Sequence, residues 1–226
     1  MLGARYALRV FNGRPIEGSI AFNERAVVIS IFDYGAGNLR SVQNTLDEIG
    51  ATYELVRDAG ALEKATKIIL PGVGHFGQML RALDEMNVRN AFISRIKAGV
   101  PFLGICLGLQ GLFESSEEAP EQRGLGIFPG EVKRFDFSAR VPHMGWNSLD
   151  AVRPSRILAG LPANPYVYFA HSYYVPVVEQ TAATCTYTLP YTAVLESGNV
   201  FGVQCHPEKS GPLGLAIVRN FVELAC

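Results

Sequence analysis

A cysteine framed by two glycines is the residue of this sequence best suited to nucleophilic chemistry. Cys106 stands in GICLG (104–108), where a strand-forming apolar run meets a helix-forming one. A glycine two residues before and another two residues after permit a sharp turn that projects a nucleophile without a Cβ collision. The amide of Leu107 would then point to where an oxyanion forms. A small apolar cysteine in a packed turn remains the alternative, because free cysteines are commonly buried.

A thiol nucleophile needs a base, and QCHPE (204–208) supplies a candidate near the end of the chain. His206 follows a strand-forming run, and Pro207 fixes a turn that can bring Glu208 back to the imidazole. This order of groups is what a Cys-His-Glu relay requires, and an exposed turn histidine is the alternative. Cys205 lies one residue earlier, on the opposite face of the strand, which predicts a core position.

The remaining histidines occur in three separate motifs: His75 in PGVGHFG, His143 in PHMGW and His171 in FAHSYY. Their wide separation gives no metal-ligand spacing. The four cysteines show no C-x-x-C spacing, which argues against a zinc site and a disulfide framework. The sequence therefore predicts no bound metal and a reducing, cytoplasmic compartment.

Strands and helices alternate in the first half of the chain and would position these groups. A strand is predicted at AVVISIF (26–32), followed by the turn DYGAGN and a helix over 39–50, with Asn38 as N-cap and Gly50 as its stop. Further strands are predicted at 52–56, 67–70 and 101–105, with helices at 61–65, about 78–98 and from Cys106 onward. Such a βαβ series predicts a mostly parallel sheet flanked by helices.

The second half, after about Gly124, has shorter β-rich pieces. The segments GIFPGEVKRF, YVYFA, ATCTYT, TAVLE and VFGVQC predict antiparallel strands, with a turn at Gly198 and Asn199 and a closing helix over about 213–224. The polar stretch SSEEAPEQRG (115–124) predicts a surface loop. The fold class is therefore α/β, with a smaller antiparallel part in the second half.

Composition limits the classes of function. The chain has 226 residues, of which 48% are hydrophobic and 18% charged, with a net charge of −1. This composition indicates a globular protein, by default one domain, although two domains of about 100 residues each remain possible. The near-neutral balance excludes the electrostatic footprint of a nucleic-acid or anionic-membrane binder.

The first 26 residues have a different character from the rest. They carry Arg5, Arg9 and Arg14 together with Pro15, Glu17 and Glu24, and no continuous apolar stretch precedes a small-residue cleavage site. We therefore expect no signal peptide. Residues 1–26 are interpreted as an appended tail or the product of an upstream start codon, with an ordered extension of the fold as the alternative. Residues 27–226 form the predicted domain.

One motif imitates a dinucleotide-binding loop. DYGAGNLR (33–40) follows a predicted strand and precedes a helix, and Asp58 lies about 20 residues further on. The third glycine of that fingerprint is missing, because Arg40 occupies its place. A dehydrogenase or nucleotide-binding module is therefore a weak alternative. A catalytically silent regulatory subunit is another, although the complete set of Cys106, His206 and Glu208 argues against it.

GICLGLQ together with HPEKS resembles the class I, triad-type glutamine amidotransferases. YGAGNLRSV, LPGVGHFG and PHMGWN together resemble the glutaminase subunits of imidazole glycerol phosphate synthase, over residues 27–226. The resemblance implies a three-layer α/β fold and a cofactor-free glutaminase of histidine biosynthesis. It also implies a separate cyclase subunit, a (β/α)₈ barrel that receives the ammonia. A glutaminase of another pathway, such as pyridoxal phosphate synthesis, is an alternative against which PHMGWN argues.

The resemblance also implies roles for individual residues. The triad is carried over onto Cys106, His206 and Glu208, and the oxyanion hole onto the backbone amides of Val73 and Leu107. The glycines of PGVG (71–74) would permit the Val73 backbone to change orientation and so gate activity. Taken alone, this loop is more readily interpreted as an ordinary strand-to-helix turn.

Substrate residues implied by the resemblance are Gly74, Gln110, His171, Ser172 and Tyr173. They come from three separate motifs, which the fold would have to bring together around L-glutamine. Read without the resemblance, Gln110 is equally an amide on a helix face, whereas His171 is more readily interpreted as a structural histidine at a strand end.

A partner interface is implied around Trp146, the only tryptophan, in a predicted turn of PHMGWN. A lone tryptophan is more often in the core, yet large aromatics are also typical of interface hot spots. The resemblance favours docking on the cyclase through Trp146, Met144 and Asn38. Ammonia released into water would be protonated and lose its nucleophilicity, so this interface has to be sealed.

Overall fold

The computed structural model describes residues 27–35, 38–136 and 140–225. The strands are β1 (Ile29–Phe32), β2 (Tyr53–Val56), β3 (Ile68–Gly72), β4 (Phe102–Cys106), β5 (Phe113–Ser116), β6 (Phe128–Arg134), β7 (His143–Ser148), β8 (Asp150–Ala151), β9 (Tyr166–His171), β10 (Tyr173–Tyr174), β11 (Thr181–Thr186), β12 (Pro190–Ser197) and β13 (Val200–Val203). The helices are α1 (Leu39–Glu48), α2 (Ala59–Leu62), α3 (Phe76–Glu85), α4 (Arg89–Lys97), α5 (Leu107–Gln110) and α6 (Gly211–Glu223), with 3₁₀ turns at Arg156–Leu158 and Pro207–Lys209.

The central sheet has eight strands in the order β2-β1-β3-β4-β13-β12-β11-β8. The pairs from β2 to β13 are parallel, and those from β13 to β8 are antiparallel. The predicted parallel sheet is therefore confirmed. The antiparallel strands β11 to β13 of the second half extend this same sheet, because β13 inserts beside β4. Two smaller sheets, β10-β6-β5 and β7-β9, lie outside it.

Helices cover both faces of the central sheet, which gives the expected three layers. Strand residues alternate between the two faces, so Ile29 and Ile31 pack with α1 and α6, whereas Phe32 packs with α2, α3 and α4. Each face thus has its own apolar core. Within the described ranges, no helix combines the length and the apolar character that a bilayer crossing requires.

Two sequence expectations in the first half are corrected in detail. The helix predicted from Cys106 onward is only four residues long, because the chain turns at Gly111 into β5, which pairs with β6. The predicted surface loop over 115–124 is partly internal: Ser116 and Ala119 are buried. The predicted helix stop at Gly50 is confirmed, since its φ is +72°, a value that favours glycine.

The predicted turn at PHMGWN is wrong, because this segment forms strand β7. It pairs antiparallel with β9, with His143 opposite His171 and Trp146 opposite Tyr168. The two-residue period of a strand then buries His143 and exposes Met144 and Trp146. The motif that reads as a turn is therefore one edge of a two-stranded sheet. The predicted turn at Gly198 and Asn199 is confirmed between β12 and β13.

A lysine is sealed inside the fold at the start of β3. Lys67 is 0% exposed, and its Nζ donates to the carbonyl oxygens of Val222 and Leu224 at 2.7 Å each and of Phe221 at 3.3 Å. The last carbonyls of a helix have no partner within the helix. Lys67 supplies hydrogen bonds to the last carbonyls of α6, and its positive charge interacts favourably with the negative end of the helix dipole.

The expectation for the N-terminal segment lies outside the described residues. Residues 1–26 are not described. Their interpretation as a tail, and the domain boundary at Val27, therefore remain predictions.

Candidate active site

The nucleophile candidate sits at a strained turn between β4 and α5. Cys106 has φ +53° and ψ −105°, a conformation that a non-glycine residue rarely adopts, and is 6% exposed. The flanking glycines are required by close packing. A Cβ on Gly108 would fall 2.0 Å from the Leu70 carbonyl oxygen, and one on Gly104 would fall 2.5 Å from that of Gly108. The strained backbone at Cys106 is thus held in place by close backbone contacts at Gly104 and Gly108, which a residue larger than glycine would not allow.

His206 and Glu208 meet as the sequence pattern predicts. His206 follows the end of β13, and its Nδ1 lies 2.8 Å from Glu208 Oε1, with the two side chains 4% and 2% exposed. Burial alone would lower the pKa of His206, but its hydrogen bonds and charge interactions with Cys106 and Glu208 raise it to about 10. These partners therefore favour the protonated form of the imidazole, which faces the Cys106 sulfur.

The side chain of Asn38 contacts the carboxylate of Glu208. Asn38 occupies the predicted N-cap position of α1, but its side chain makes no cap hydrogen bond. Instead Ser41 Oγ donates to Asn38 Oδ1 at 2.6 Å, which turns the Asn38 Nδ2 toward Glu208 Oε1 at 3.3 Å. Asn38 was predicted at a partner interface, and the structure adds this contact with Glu208.

An open pocket of about 170 Å³ lies over Cys106. Every predicted oxyanion and substrate residue lines it, together with two members of the triad: Val73, Gly74, Cys106, Leu107, Gln110, His171, Ser172, Tyr173 and His206. Glu208 stands behind His206 and does not line the pocket. The fold therefore brings together residues that the sequence scatters over more than a hundred positions.

Glu118 also lines this pocket, and sequence reasoning missed it. It lies in the stretch predicted as a polar surface loop, where an acidic residue is unremarkable. Its Oε2 accepts the backbone N–H of Phe76, the first residue of α3, at 2.7 Å. A carboxylate held in this way gives the pocket one wall that favours a cationic group.

A chain of amides joins the pocket wall to the nucleophile. Gln110 Nε2 donates to the carbonyl oxygen of Tyr173 at 2.8 Å and to Gln204 Oε1 at 3.0 Å. Gln204 Nε2 in turn lies 3.5 Å from the Cys106 sulfur. Gln204 is fully buried and was assigned no role from the sequence. The only signal was a polar residue in the otherwise apolar run VFGVQC.

His143 and His171 form a second histidine site beside the pocket. His171 Nδ1 donates to the Tyr173 carbonyl oxygen at 2.8 Å, so its Nε2 is an acceptor that faces His143 Nδ1 at 3.3 Å and the Tyr191 hydroxyl at 3.2 Å. Tyr191 Oη also lies 3.2 Å from His143 Nδ1. Burial lowers the pKa of His143 to about 4 and that of His171 to about 3. We call these three residues the neutral cluster.

The outer side of the β7-β9 sheet is apolar and exposed. Met144, Trp146 and Tyr166 are 65%, 55% and 59% exposed, and the Trp146 and Tyr168 rings meet edge to face at 6.1 Å. Lys209 Nζ lies 5.8 Å from the Tyr168 ring centroid. We call these five residues the β7-β9 face. Met144 also lines the pocket, so the β7-β9 face is continuous with the site.

The arrangement has the parts required for acyl transfer from a carboxamide. A buried cysteine at a sharp turn faces a protonated imidazole that a carboxylate holds in place, which is the general logic of a nucleophilic triad. Among the described residues, no group of three His, Cys, Asp or Glu side chains is placed to hold a metal ion.

Comparison with known proteins gives a consistent result. The family described as glutamine amidotransferase class-I matches residues 30–224. The imidazole glycerol phosphate synthase subunit HisH of Desulfitobacterium hafniense strain Y51 is 46% identical over 86% of this chain and 93% of its own length. The subunit HisH of Methanothermobacter thermautotrophicus is 46% identical, over 87% and 98%. The chloroplastic imidazole glycerol phosphate synthase hisHF of Arabidopsis thaliana is 44% identical over 86% of this chain and 34% of its own length.

Solved structures agree on the fold. A crystal structure of a glutamine amidotransferase has a TM-score of 0.69 at 23% identity, covering 87% of this chain and 97% of that one. PurLQS from Thermotoga maritima has a TM-score of 0.68 at 20% identity, covering 86% and 96%. From the matched family, the identities and the shared fold, the chain belongs to the class-I glutamine amidotransferases and, within them, to the family of HisH subunits of imidazole glycerol phosphate synthase.

Proposed function

We propose that this chain hydrolyses L-glutamine to L-glutamate and ammonia as the glutaminase subunit of imidazole glycerol phosphate synthase. The observation that carries the proposal is the buried contact of His206 with both Cys106 and Glu208 at the base of one pocket. The similarity to HisH subunits supports the pathway, histidine biosynthesis.

In the first half-reaction the Cys106 sulfur, as thiolate, attacks the side-chain carbonyl carbon of glutamine. The carbonyl oxygen becomes an oxyanion, which the backbone amides of Leu107 and Val73 would stabilise. When the C–N bond breaks, His206 gives its proton to the departing nitrogen, which leaves as ammonia. A glutamyl thioester on Cys106 and a neutral His206 remain.

In the second half-reaction water replaces the sulfur. Neutral His206 takes a proton from the water as it attacks the thioester carbon, and the C–S bond breaks. Glutamate leaves, and Cys106 and His206 return to the thiolate and imidazolium. Glu208 holds the ring orientation throughout and stabilises its charged form.

The pocket offers groups for the rest of the glutamine molecule. We assign the carboxamide end to Gly74, next to the oxyanion amides, and the amino-acid end to Gln110 and the segment His171 to Tyr173, all of which line the pocket. The α-ammonium group fits beside the Glu118 carboxylate, which also lines it. The charge of Glu118 would then discriminate against substrates that lack a cation there.

We assign the β7-β9 face to docking of the cyclase, a (β/α)₈ barrel that uses the ammonia to form imidazole glycerol phosphate and AICAR. Exposed aromatic and methionine side chains are typical of the centre of an interface, and here they adjoin the pocket that would release ammonia. Asn38 is assigned to the same interface from the resemblance. The free thiols Cys106, Cys185 and Cys205 fit a cytoplasmic location for the complex.

The test is glutamine-dependent synthesis by the full chain copurified with its cyclase. Cys106→Ala should abolish glutamate formation while the complex still makes product from added ammonia. Cys185→Ala, which removes a buried thiol away from the pocket, serves as the matched control and should retain glutamine-dependent turnover. Loss of ammonia-dependent synthesis in Cys106→Ala would show that Cys106 acts structurally.

The docking assignment has its own test. Trp146→Ala should raise the Kd for the cyclase by at least about tenfold, because interface hot spots, among which tryptophan is enriched, cost about 2 kcal/mol or more when truncated and about 1.4 kcal/mol is tenfold. Val152→Ala, at a comparably exposed apolar residue outside the β7-β9 face, is the control. Equal Kd values for both variants, measured by titration calorimetry, would remove Trp146 from the interface.

A further inference from the structure

Gln204 touches the reacting sulfur, and no step of the reaction above uses it. It is the residue directly after β13, is 0% exposed, and places its Nε2 3.5 Å from Cys106 Sγ. The two-residue period of the strand puts Gln204 on the same side as His206 and opposite the core residue Cys205. Two side chains from one strand end therefore meet the same sulfur.

The hydrogen-bond partners fix which end of the Gln204 amide faces Cys106. The Tyr173 carbonyl can only accept, so the Gln110 atom at 2.8 Å from it is the NH₂ nitrogen. The same nitrogen lies 3.0 Å from Gln204, where it requires an acceptor, Oε1. The NH₂ group of Gln204 is left facing the sulfur. The Tyr173 carbonyl, acting through Gln110, thus determines that Gln204 presents a donor to the sulfur.

We propose that Gln204 is a catalytic hydrogen-bond donor to the Cys106 sulfur, stabilising it whenever it carries negative charge. The inference deepens the proposed glutaminase function and rests on it. An N–H bond to an anion is stronger than one to a neutral atom. The bond is therefore strongest in the attacking thiolate and in the thiolate that departs from the thioester, and weakest in the acylated enzyme.

Two consequences separate this role from a purely structural one. A buried amide that only holds Gln110 in place would affect stability and glutamine binding when it is replaced. A donor to the sulfur would in addition change the reactivity of Cys106 toward a reagent that binds in no substrate pocket. Alkylation by iodoacetamide, which consumes the thiolate, measures that reactivity directly.

The experiment compares the alkylation rate against pH for the full chain, for Gln204→Met and for the nearly isosteric Gln204→Glu. Both variants keep the titratable groups that surround Cys106 in the parent, and Gln204→Glu adds one carboxyl group at the substituted position itself: the groups kept are His206, Glu208, Tyr34, Tyr191 and Cys205. Differences between the profiles therefore report on position 204. Cys106→Ala gives the background from the other thiols.

We expect the pH of half-maximal alkylation to rise by about one unit in Gln204→Met, the equivalent of one charge-assisted hydrogen bond. In Gln204→Glu it should rise further, because a carboxylate cannot donate and repels the thiolate. Thr192→Val, which removes a fully buried hydroxyl on the neighbouring strand β12, should leave the profile unmoved.

Profiles of both Gln204 variants that superimpose on the parent profile would overturn the inference. If Gln204→Met fails to fold by circular dichroism, the Gln204→Glu profile decides alone. Failure of the underlying function is seen separately, as a parent complex that alkylates normally but forms no glutamate from glutamine.

Discussion

The protein contains two buried histidine sites at neighbouring strand ends, and they differ in charge. In the triad, His206 lies between Cys106 and Glu208, and these partners raise its pKa to about 10 against the effect of burial. In the neutral cluster, His143 and His171 face each other and the Tyr191 hydroxyl, and burial lowers their pKa values to about 4 and 3.

The comparison shows that burial alone does not decide the protonation of a histidine, because its partners can outweigh the effect of burial. An ionisable partner such as a carboxylate or thiol favours the imidazolium, whereas a hydroxyl and a second imidazole leave desolvation unopposed. The same residue type thus has its charged form favoured at one site and is an uncharged hydrogen-bonding group at the other. The neutral cluster can hold the pocket wall at Tyr173 without adding charge near Cys106.

Glu208→Gln would break the comparison most strongly, because it turns the charged site toward a neutral one. Loss of the carboxylate should lower the pKa of His206 and reduce kcat for glutamine hydrolysis by about 10²–10⁴. The measurement is glutamate formation by the cyclase complex as a function of pH. Glu131→Gln, which breaks a surface pair with Lys133, is the control. A kcat within a factor of two of the parent would remove Glu208 from the triad.

Tyr191→Phe would weaken the neutral cluster without charging it. The nitrogens His143 Nδ1 and His171 Nε2 lose their shared hydroxyl partner in a buried site, which should lower the free energy of unfolding by about 1–3 kcal/mol. Urea denaturation at neutral pH measures this. Tyr187→Phe, whose hydroxyl makes an exposed bond to the Arg140 carbonyl, should cost less. Equal costs for the two variants would count against a buried polar network at Tyr191.

Acid should destabilise the neutral cluster. The folded pKa values of His143 and His171 lie below the ordinary histidine value of 6.5, so the unfolded chain binds more protons between about pH 6.5 and 3. Stability contributed by these residues is present above pH 6.5 and is lost as the pH falls through that window. Urea midpoints measured along it should decline less steeply in His143→Gln, which has no proton to take up. Parallel declines would contradict the assignment.

Asn38→Ala should produce the smallest effect on the charged site. Removing the hydrogen bond from the Asn38 side-chain amide to Glu208 should lower kcat/KM for glutamine about three- to tenfold at saturating cyclase. Ser41→Ala, which releases the Asn38 amide without removing it, should fall between this variant and the parent. A weaker Kd for the cyclase with unchanged kcat/KM would place Asn38 at the interface alone.

The sequence predicts well what is local. GICLG and CHPE specify a sharp turn and a returning carboxylate within five residues each, and the structure has both. The alternation of strands and helices likewise predicts the parallel sheet, because each helix must return the chain to the same edge.

Long-range contacts between polar residues could not be predicted. Tyr191 meets His143 and His171 across 48 and 20 residues, and Gln204 meets Cys106 across 98. Nothing in the period of a strand says which buried polar side chains share a site. PHMGWN predicts a turn because its Pro, Gly and Asn are turn formers, whereas pairing with β9 makes the segment a strand.

Lys67 provides a built-in indicator for all of these variants. An amine with no exposed surface is shielded from acylating reagents while the fold is intact. Its reaction would require release of the last turn of α6, which its Nζ holds. The rate at which an acylated Lys67 peptide appears in mass spectrometry should therefore report how often the end of α6 opens in each substituted chain.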